Sequence, residues 1–95
     1  MGGDDGLRTA AGVPAHLREV LSAHMAWAYR IVPVGAEGGT VVLVSDRVVR
    51  ADDLEFLTFA RPGLARCRVA GPGEFRDVRA DLDRVLSQTY PPRRE

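Results

Sequence analysis

The sequence contains no lysine, only one cysteine and no hydrophobic run of the ~20 residues that a membrane-spanning helix needs. All 13 basic residues are therefore arginine. Without lysine, the chain has neither a phosphate-loop lysine for ATP nor a lysine that could form a Schiff base. The single cysteine, Cys67, excludes an internal disulfide framework and a multi-cysteine zinc site. These absences exclude several classes of enzyme and disulfide-stabilised scaffold.

Acidic and basic residues are equal in number, 13 of each, so the formal net charge is zero. Zero net charge argues against bulk electrostatic binding of nucleic acid or of a membrane surface. The acidic, glycine-rich start is unlike a signal peptide. We therefore expect a cytoplasmic protein with no nucleic-acid partner and no direct membrane insertion.

The 95 residues are enough for one domain with one modest core. Residues 1–12 have four glycines and no apolar period, which predicts a disordered lead-in. The single domain is expected over 13–90, and two consecutive prolines then leave 91–95 as a tail.

Apolar spacing and turn residues predict the order α-β-β-α-β-α. The predicted helices span 14–25, 52–60 and 73–89, and the predicted strands span 28–34, 40–44 and 65–70. The first two strands should form an antiparallel hairpin around the Gly38-Gly39 turn. Together these elements predict a two-layer α+β domain with a small three-stranded sheet and helices packed on it. Pro33 favours an edge position for the first strand and hence strand order 1-2-3, while a ferredoxin-like order 3-1-2 stays open.

The predicted helix 52–60 begins with Asp52 and Glu55 at capping-box spacing. Its carboxylates are interpreted as charges that stabilise the helix N-terminus rather than as a catalytic pair. The helix is apolar over much of its circumference. Such a helix is either well buried or keeps a hydrophobic face for a partner.

The strand 65–70 alternates, with Cys67 predicted on the inward face and Arg66 and Arg68 on the outward one. Cys67 is therefore interpreted as a small core residue. His16 and His24 lie too far apart on one helix to chelate a metal as an i, i+4 pair. No catalytic constellation, metal site or cofactor site is predicted.

Three segments carry a resemblance to a known family. They follow Val13-Pro14 and Leu17 and read Ala-Tyr-Arg-Ile-Val-Pro-Val at 28–34, Gly-Gly-Thr-Val-Val-Leu-Val-Ser-Asp at 38–46 and Asp-Asp-Leu-Glu-Phe-Leu-Thr at 52–58. In this order they resemble the N-terminal domain of type II secretion and type IV pilus assembly ATPases, over about residues 13–90. Val48 stands where that family has a proline after the strand, and Phe59 where it has a helix-ending glycine. The ATPase motor is missing, which implies either an excised piece or a free-standing domain.

The resemblance implies a non-catalytic docking module that binds a protein partner, such as an inner-membrane platform protein or a regulatory protein. In some family members a segment of this type binds cyclic di-GMP through stretches that open Arg-Leu-Gly and end Leu-x-x-x-Leu-x-x-Gln, and this sequence has no such stretch. The motif thus does not support nucleotide binding, and a receptor for an anionic nucleotide such as cyclic di-GMP is kept as the alternative because of the arginines.

Large residues at element ends and arginines near the third strand are the candidate binding residues. The predicted partner-binding residues are Trp27, Phe59, Arg61, Arg66 and Arg68. For the alternative function, Arg47 and Arg50 are the predicted ligand-binding residues, because guanidinium groups suit phosphate contacts. The simpler interpretation is that a chain without lysine uses arginine at every solvated basic position.

Overall fold

The computed structural model describes residues 13–91; the predicted lead-in 1–12 and most of the predicted tail, 92–95, lie outside the described residues. A 3₁₀ helix, Ala15–Val20, precedes helix α1 (Ala23–Tyr29), strand β1 (Ile31–Glu37) and strand β2 (Thr40–Ser45). Helix α2 (Ala51–Ala60), a second 3₁₀ helix (Pro62–Leu64), strand β3 (Cys67–Val69) and helices α3 (Arg76–Ala80) and α4 (Leu82–Thr89) follow. The predicted α+β domain with a three-stranded sheet is confirmed.

The predicted helix 14–25 is wrong as a single element. The chain becomes extended at Leu21, and Ser22 starts a new helix whose hydroxyl accepts a hydrogen bond of 3.1 Å from the Met25 amide. Serine is a favoured N-cap because its hydroxyl satisfies an amide that has no partner inside the helix. Helix α1 then continues through Tyr29 and ends at Arg30 in the left-handed conformation, so β1 begins at Ile31 rather than at residue 28.

The β1–β2 hairpin is antiparallel, as predicted, and Glu37 pairs with Thr40 across the turn. Both turn residues have positive φ, +56° at Gly38 and +86° at Gly39. This is the geometry that two-residue hairpin turns need, and glycine adopts it without steric cost. The register shifts by one residue between Pro33 and Gly35, which is a β-bulge next to the proline.

Strand order is β1-β2-β3, as the position of Pro33 predicted, and β3 runs parallel to β2. The third strand is shorter than predicted and spans only three residues. Cys67 and Val69 lie on one face and Arg68 on the other, all of them half-buried. Cys67 is thus a partly covered residue at the side of the core rather than a fully buried one.

The hairpin is covered on both faces, because consecutive residues from Val41 to Ser45 are buried although their side chains alternate. The 3₁₀ helix Ala15–Val20, α1 and α4 pack against β1, while α3 packs against β2. The fully buried side chains include Ile31, Val32, Leu43, Val44, Leu57, Leu64, Leu82 and Leu86. One contiguous core therefore holds every described element.

The predicted helix 73–89 is also two helices. Phe75 adopts the left-handed conformation and is exposed, so it does not extend the apolar stripe. The break falls at Asp81, whose amide lies within hydrogen-bond distance of the carbonyls of both Asp77 and Val78. Because of this break, α3 packs on β2 while α4 packs on β1, where Leu82 and Leu86 are buried.

Helix α2 occupies almost the predicted range, but the capping-box prediction is wrong. The helix begins at Ala51 after Arg50, which makes no side-chain cap, and Asp52 lies inside the first turn. A carboxylate there still favours the helix because it faces the positive end of the backbone dipole.

Candidate functional site

Helix α2 exposes two phenylalanines to solvent. Phe59 is 90% exposed and Phe56 is 51% exposed. Three residues apart on a helix, they are neighbours on one face, which we call the aromatic face. Leu57 on the opposite side is fully buried, and it is the helix's only buried residue. Both alternatives raised by the sequence hold in part: one side of the helix joins the core and the other carries large apolar groups in water.

Carboxylates border the aromatic face. Asp52 precedes Phe56 by four residues and Glu55 precedes Phe59 by four, so each lies one turn away on the same face. Both residues are exposed. Neither forms an ion pair with any other residue of 13–91. The exposed surface of α2 therefore combines aromatic rings with carboxylates that no residue of 13–91 pairs with.

Arg61, predicted to bind a partner, is held by the protein itself. Its guanidinium donates hydrogen bonds of 2.9 Å to the Glu19 carbonyl and 3.2 Å to the Val20 carbonyl. These carbonyls lie at the end of the first 3₁₀ helix, where helical backbone acceptors lack partners. Arg61 thus fastens the end of α2 to another element and orients the helix.

Arg68, also predicted to bind a partner, joins Glu37 at 3.1 Å and Glu74 at 3.0 Å. The two carboxylates raise the pKa of Arg68 above its ordinary value. Arg68, together with a hydrogen bond from the Gly71 amide, lowers the pKa of Glu74 to about 2. This cluster connects the hairpin turn, β3 and the following loop.

The remaining predicted arginines are Arg47, Arg50 and Arg66, and all three are exposed. None of them forms a side-chain ion pair within the described part of the chain. Arg66 lies outside β3, while Arg47 and Arg50 belong to the connection before α2. No contact of these three arginines bears on nucleotide binding, so the nucleotide-receptor alternative stays a prediction. Of the other candidate arginines, Arg61 and Arg68 already bond protein acceptors.

Trp27 is half-buried on α1, and its indole Nε1 donates to the Tyr90 carbonyl at 2.7 Å. The Arg30 guanidinium lies 6.0 Å from the ring centroid, within the range of a cation–π contact. The partner-binding role of Trp27 stays a prediction. Its present contacts tie α1 to the end of α4.

The described surface also has a shallow groove of about 540 Å³. It is lined in part by Arg18, Arg61, Thr89 and Tyr90. The Tyr90 hydroxyl donates to the Arg18 carbonyl at 2.7 Å, and burial raises the pKa of Tyr90 to about 12. The Thr89 hydroxyl is buried without a hydrogen-bond partner in the described structure. That oxygen is closed to solvent, so the charged groups that the groove presents to solvent are those of the exposed Arg18 and Glu19.

Three further features concern the reactivity of Cys67, metal binding and membrane crossing. Burial raises the pKa of the Cys67 thiol, which disfavours the nucleophilic thiolate. Among residues 13–91, no three His, Cys, Asp or Glu side chains lie close enough together to hold a metal ion. No helix within this same range is both long and apolar enough to cross a membrane.

Sequence reasoning identified Phe59 but missed Phe56, Asp52 and Glu55 as parts of one surface. The available signal was their spacing of three and four residues on a helix that is apolar over much of its circumference. Comparison of the chain with protein-family models, curated proteins and solved structures finds no match.

Proposed function

We propose that the protein is a non-catalytic protein–protein interaction module that docks through the aromatic face of α2. The observation that carries the proposal is the 90% exposure of Phe59 beside the half-exposed Phe56. Burying a phenylalanine side chain contributes about 1.5–3 kcal/mol, and the folded domain leaves most of this unused at Phe59. Binding of a partner that covers both rings would release this burial free energy. Aromatic residues of this kind often dominate the energetics of protein interfaces.

The helix that carries the aromatic face is fixed to the rest of the domain by contacts on its opposite side and at its end. Leu57 is fully buried in the core, and Arg61 joins the end of the helix to the carbonyls of Glu19 and Val20. A helix fixed in this way needs little further ordering when it binds, so more of the contact energy appears as affinity.

The sequence resemblance supports the same class of function. The segment 52–58, which resembles the helix of the secretion-ATPase docking domain, forms most of α2. On that basis we propose that the partner is a cytoplasmic domain of an inner-membrane platform protein, or a regulatory protein that replaces it.

A capture experiment with matched variants tests the proposal. The immobilised wild-type protein, Phe56→Ser/Phe59→Ser and Phe75→Ser are each incubated with extract of the source organism. Phe75 is a suitable control because it is 40% exposed and lies outside α2. We expect wild type and Phe75→Ser to retain a common protein that the double variant retains at least about tenfold less, since losing two anchors costs this much or more. Equal retention by all three would contradict the proposal.

A further inference from the structure

We propose that the partner covers the aromatic face with an apolar surface bordered by lysine or arginine side chains. This inference rests on the proposed function and adds the charge of the partner. It starts from the charges of α2 itself: Asp52, Asp53 and Glu55 all lie within the helix, and no basic residue does. The arginine at the end of the helix, Arg61, is turned toward the Glu19 and Val20 carbonyls.

Within the described part of the chain, the two carboxylates that border the aromatic face are not engaged in ion pairs. Asp52 and Glu55 are exposed and have no ion-pair partner among residues 13–91. Cationic groups placed beside them by a partner would form charge pairs as the rings are covered. An apolar partner without such groups would bring the carboxylates near a low-dielectric surface and weaken their hydration.

The same charges argue against two other occupants. An anionic membrane surface would be repelled by the carboxylates that border the rings. A second copy of the chain would meet this face with its own, because a two-fold interface places the same patch on both sides. That pairing would bring Asp52 and Glu55 of one copy close to the equivalent carboxylates of the other. Among these occupants, a cationic and apolar protein surface fits best.

Two peptides of equal length and apolar content test the inference. One is an amphipathic helix of leucine and lysine, about 18 residues long, and its twin has glutamate in place of lysine. Each is titrated into the isotope-labelled protein, and backbone amide shifts are followed by NMR. We expect the lysine peptide to shift amides of 52–60 and to bind at least about fivefold more tightly than the glutamate peptide, with the difference shrinking at about 0.5 M salt.

Two neutralising double variants assign the effect. Asp52→Asn/Glu55→Gln removes the two carboxylates that border the aromatic face. Glu19→Gln/Asp77→Asn makes the same change in net charge at side chains outside α2, and it leaves the Glu19 carbonyl that binds Arg61 in place. The preference for the lysine peptide should disappear in the first variant and persist in the second. Circular dichroism checks that both remain folded, and sedimentation detects any association of the protein with itself.

Equal binding of the two peptides, no binding by either, shifts centred away from α2, or dimerisation through the aromatic face would each overturn the inference. These outcomes are distinct from failure of the docking function. If the captured protein depends on Phe56 and Phe59 but not on Asp52 and Glu55, the docking function stands and the inferred charge of the partner is wrong.

Discussion

The indole Nε1 of Trp27 donates a 2.7 Å hydrogen bond to the backbone carbonyl of Tyr90, 63 positions further along the chain. The Tyr90 hydroxyl in turn donates to the Arg18 carbonyl at 2.7 Å. Tyr90 is therefore bonded through its backbone to α1 and through its side chain to the first 3₁₀ helix. The end of the last helix is fixed by residues from the beginning of the domain.

Trp27→Phe should lower the free energy of unfolding by about 1–3 kcal/mol. The change leaves the Tyr90 carbonyl without its indole donor and removes part of a half-buried side chain. Chemical denaturation followed by circular dichroism measures the loss. Phe59→Ser is the matched control, because its exposed ring should contribute no more than about 0.5 kcal/mol. Equal effects of the two changes would contradict the role of Trp27.

Arg79→Lys should destabilise the domain by about 1–3 kcal/mol, although it preserves the charge. The guanidinium of Arg79 donates to the carbonyls of Ser45 at 3.1 Å, Pro72 at 3.0 Å and Gly71 at 2.8 Å, with Ala70 at 3.4 Å. A lysine ammonium lacks the planar fork that reaches several acceptors together. Denaturation of Arg79→Lys beside Arg76→Lys, an exposed position in the same helix, checks the prediction; similar midpoints would refute it.

Gly63→Ala should destabilise the protein by about 1 kcal/mol through local overpacking. A Cβ at Gly63 would lie 3.0 Å from Cγ1, 3.1 Å from Cβ and 3.3 Å from Cα of Val20. Rotation of the Val20 side chain cannot relieve the last two contacts, since neither atom moves with χ1. Gly73→Ala is the control, because its added methyl would meet no atom within 4 Å. Thermal melts should show a lower midpoint for the first variant alone.

Stability should decrease as the pH falls from about 4.5 toward about 2, in part because of Glu74. Arg68 and the Gly71 amide hold the pKa of Glu74 at about 2, below its ordinary value of 4.5. A depressed pKa in the folded state means that the ionised carboxylate stabilises the fold above the unfolded pKa, and protonation removes that contribution. Denaturation curves recorded across this pH range give the free energy of unfolding at each pH. This free energy should fall less with decreasing pH for Glu74→Gln than for wild type.

A second variant separates the ion pair from other acid effects. In Arg68→Gln, the pKa of Glu74 followed by NMR should rise toward its ordinary value, because the main cause of the depression is removed. An unchanged pKa in this variant would show that Arg68 is not that cause.

The strand order and hairpin could be predicted because their signals are local. Pro33 marks an edge strand, and Gly38-Gly39 permits the positive φ of a tight turn. The two broken helices could not be predicted from apolar spacing alone, since the stripe continues across each break. At Ser22 the hydroxyl competes with helix continuation by capping a new one.

The candidate surface was predictable only in part for a related reason. An apolar helix does not show which of its sides meets the core until its neighbours are in place, so Phe56 and Leu57 are equivalent in sequence. For the arginines, the sequence did not show which of them bond to the protein itself. Arg61, Arg68 and Arg79 look like solvated charges in the sequence, yet each bonds at least one acceptor from a distant segment. Those acceptors are largely backbone carbonyls, which have no sequence signature.

Both edges of the sheet are poor templates for another strand. β1 carries Pro33 and a bulge, and β3 offers only three residues. A proline lacks the amide that a new ladder would need, a bulge interrupts the register, and a short edge presents few groups to pair. Strand addition, a common way for peptides to join small sheet proteins and for such proteins to aggregate, is therefore disfavoured here. The domain can keep two phenylalanines in water on α2 while its sheet edges resist the ladder growth that leads to fibrils.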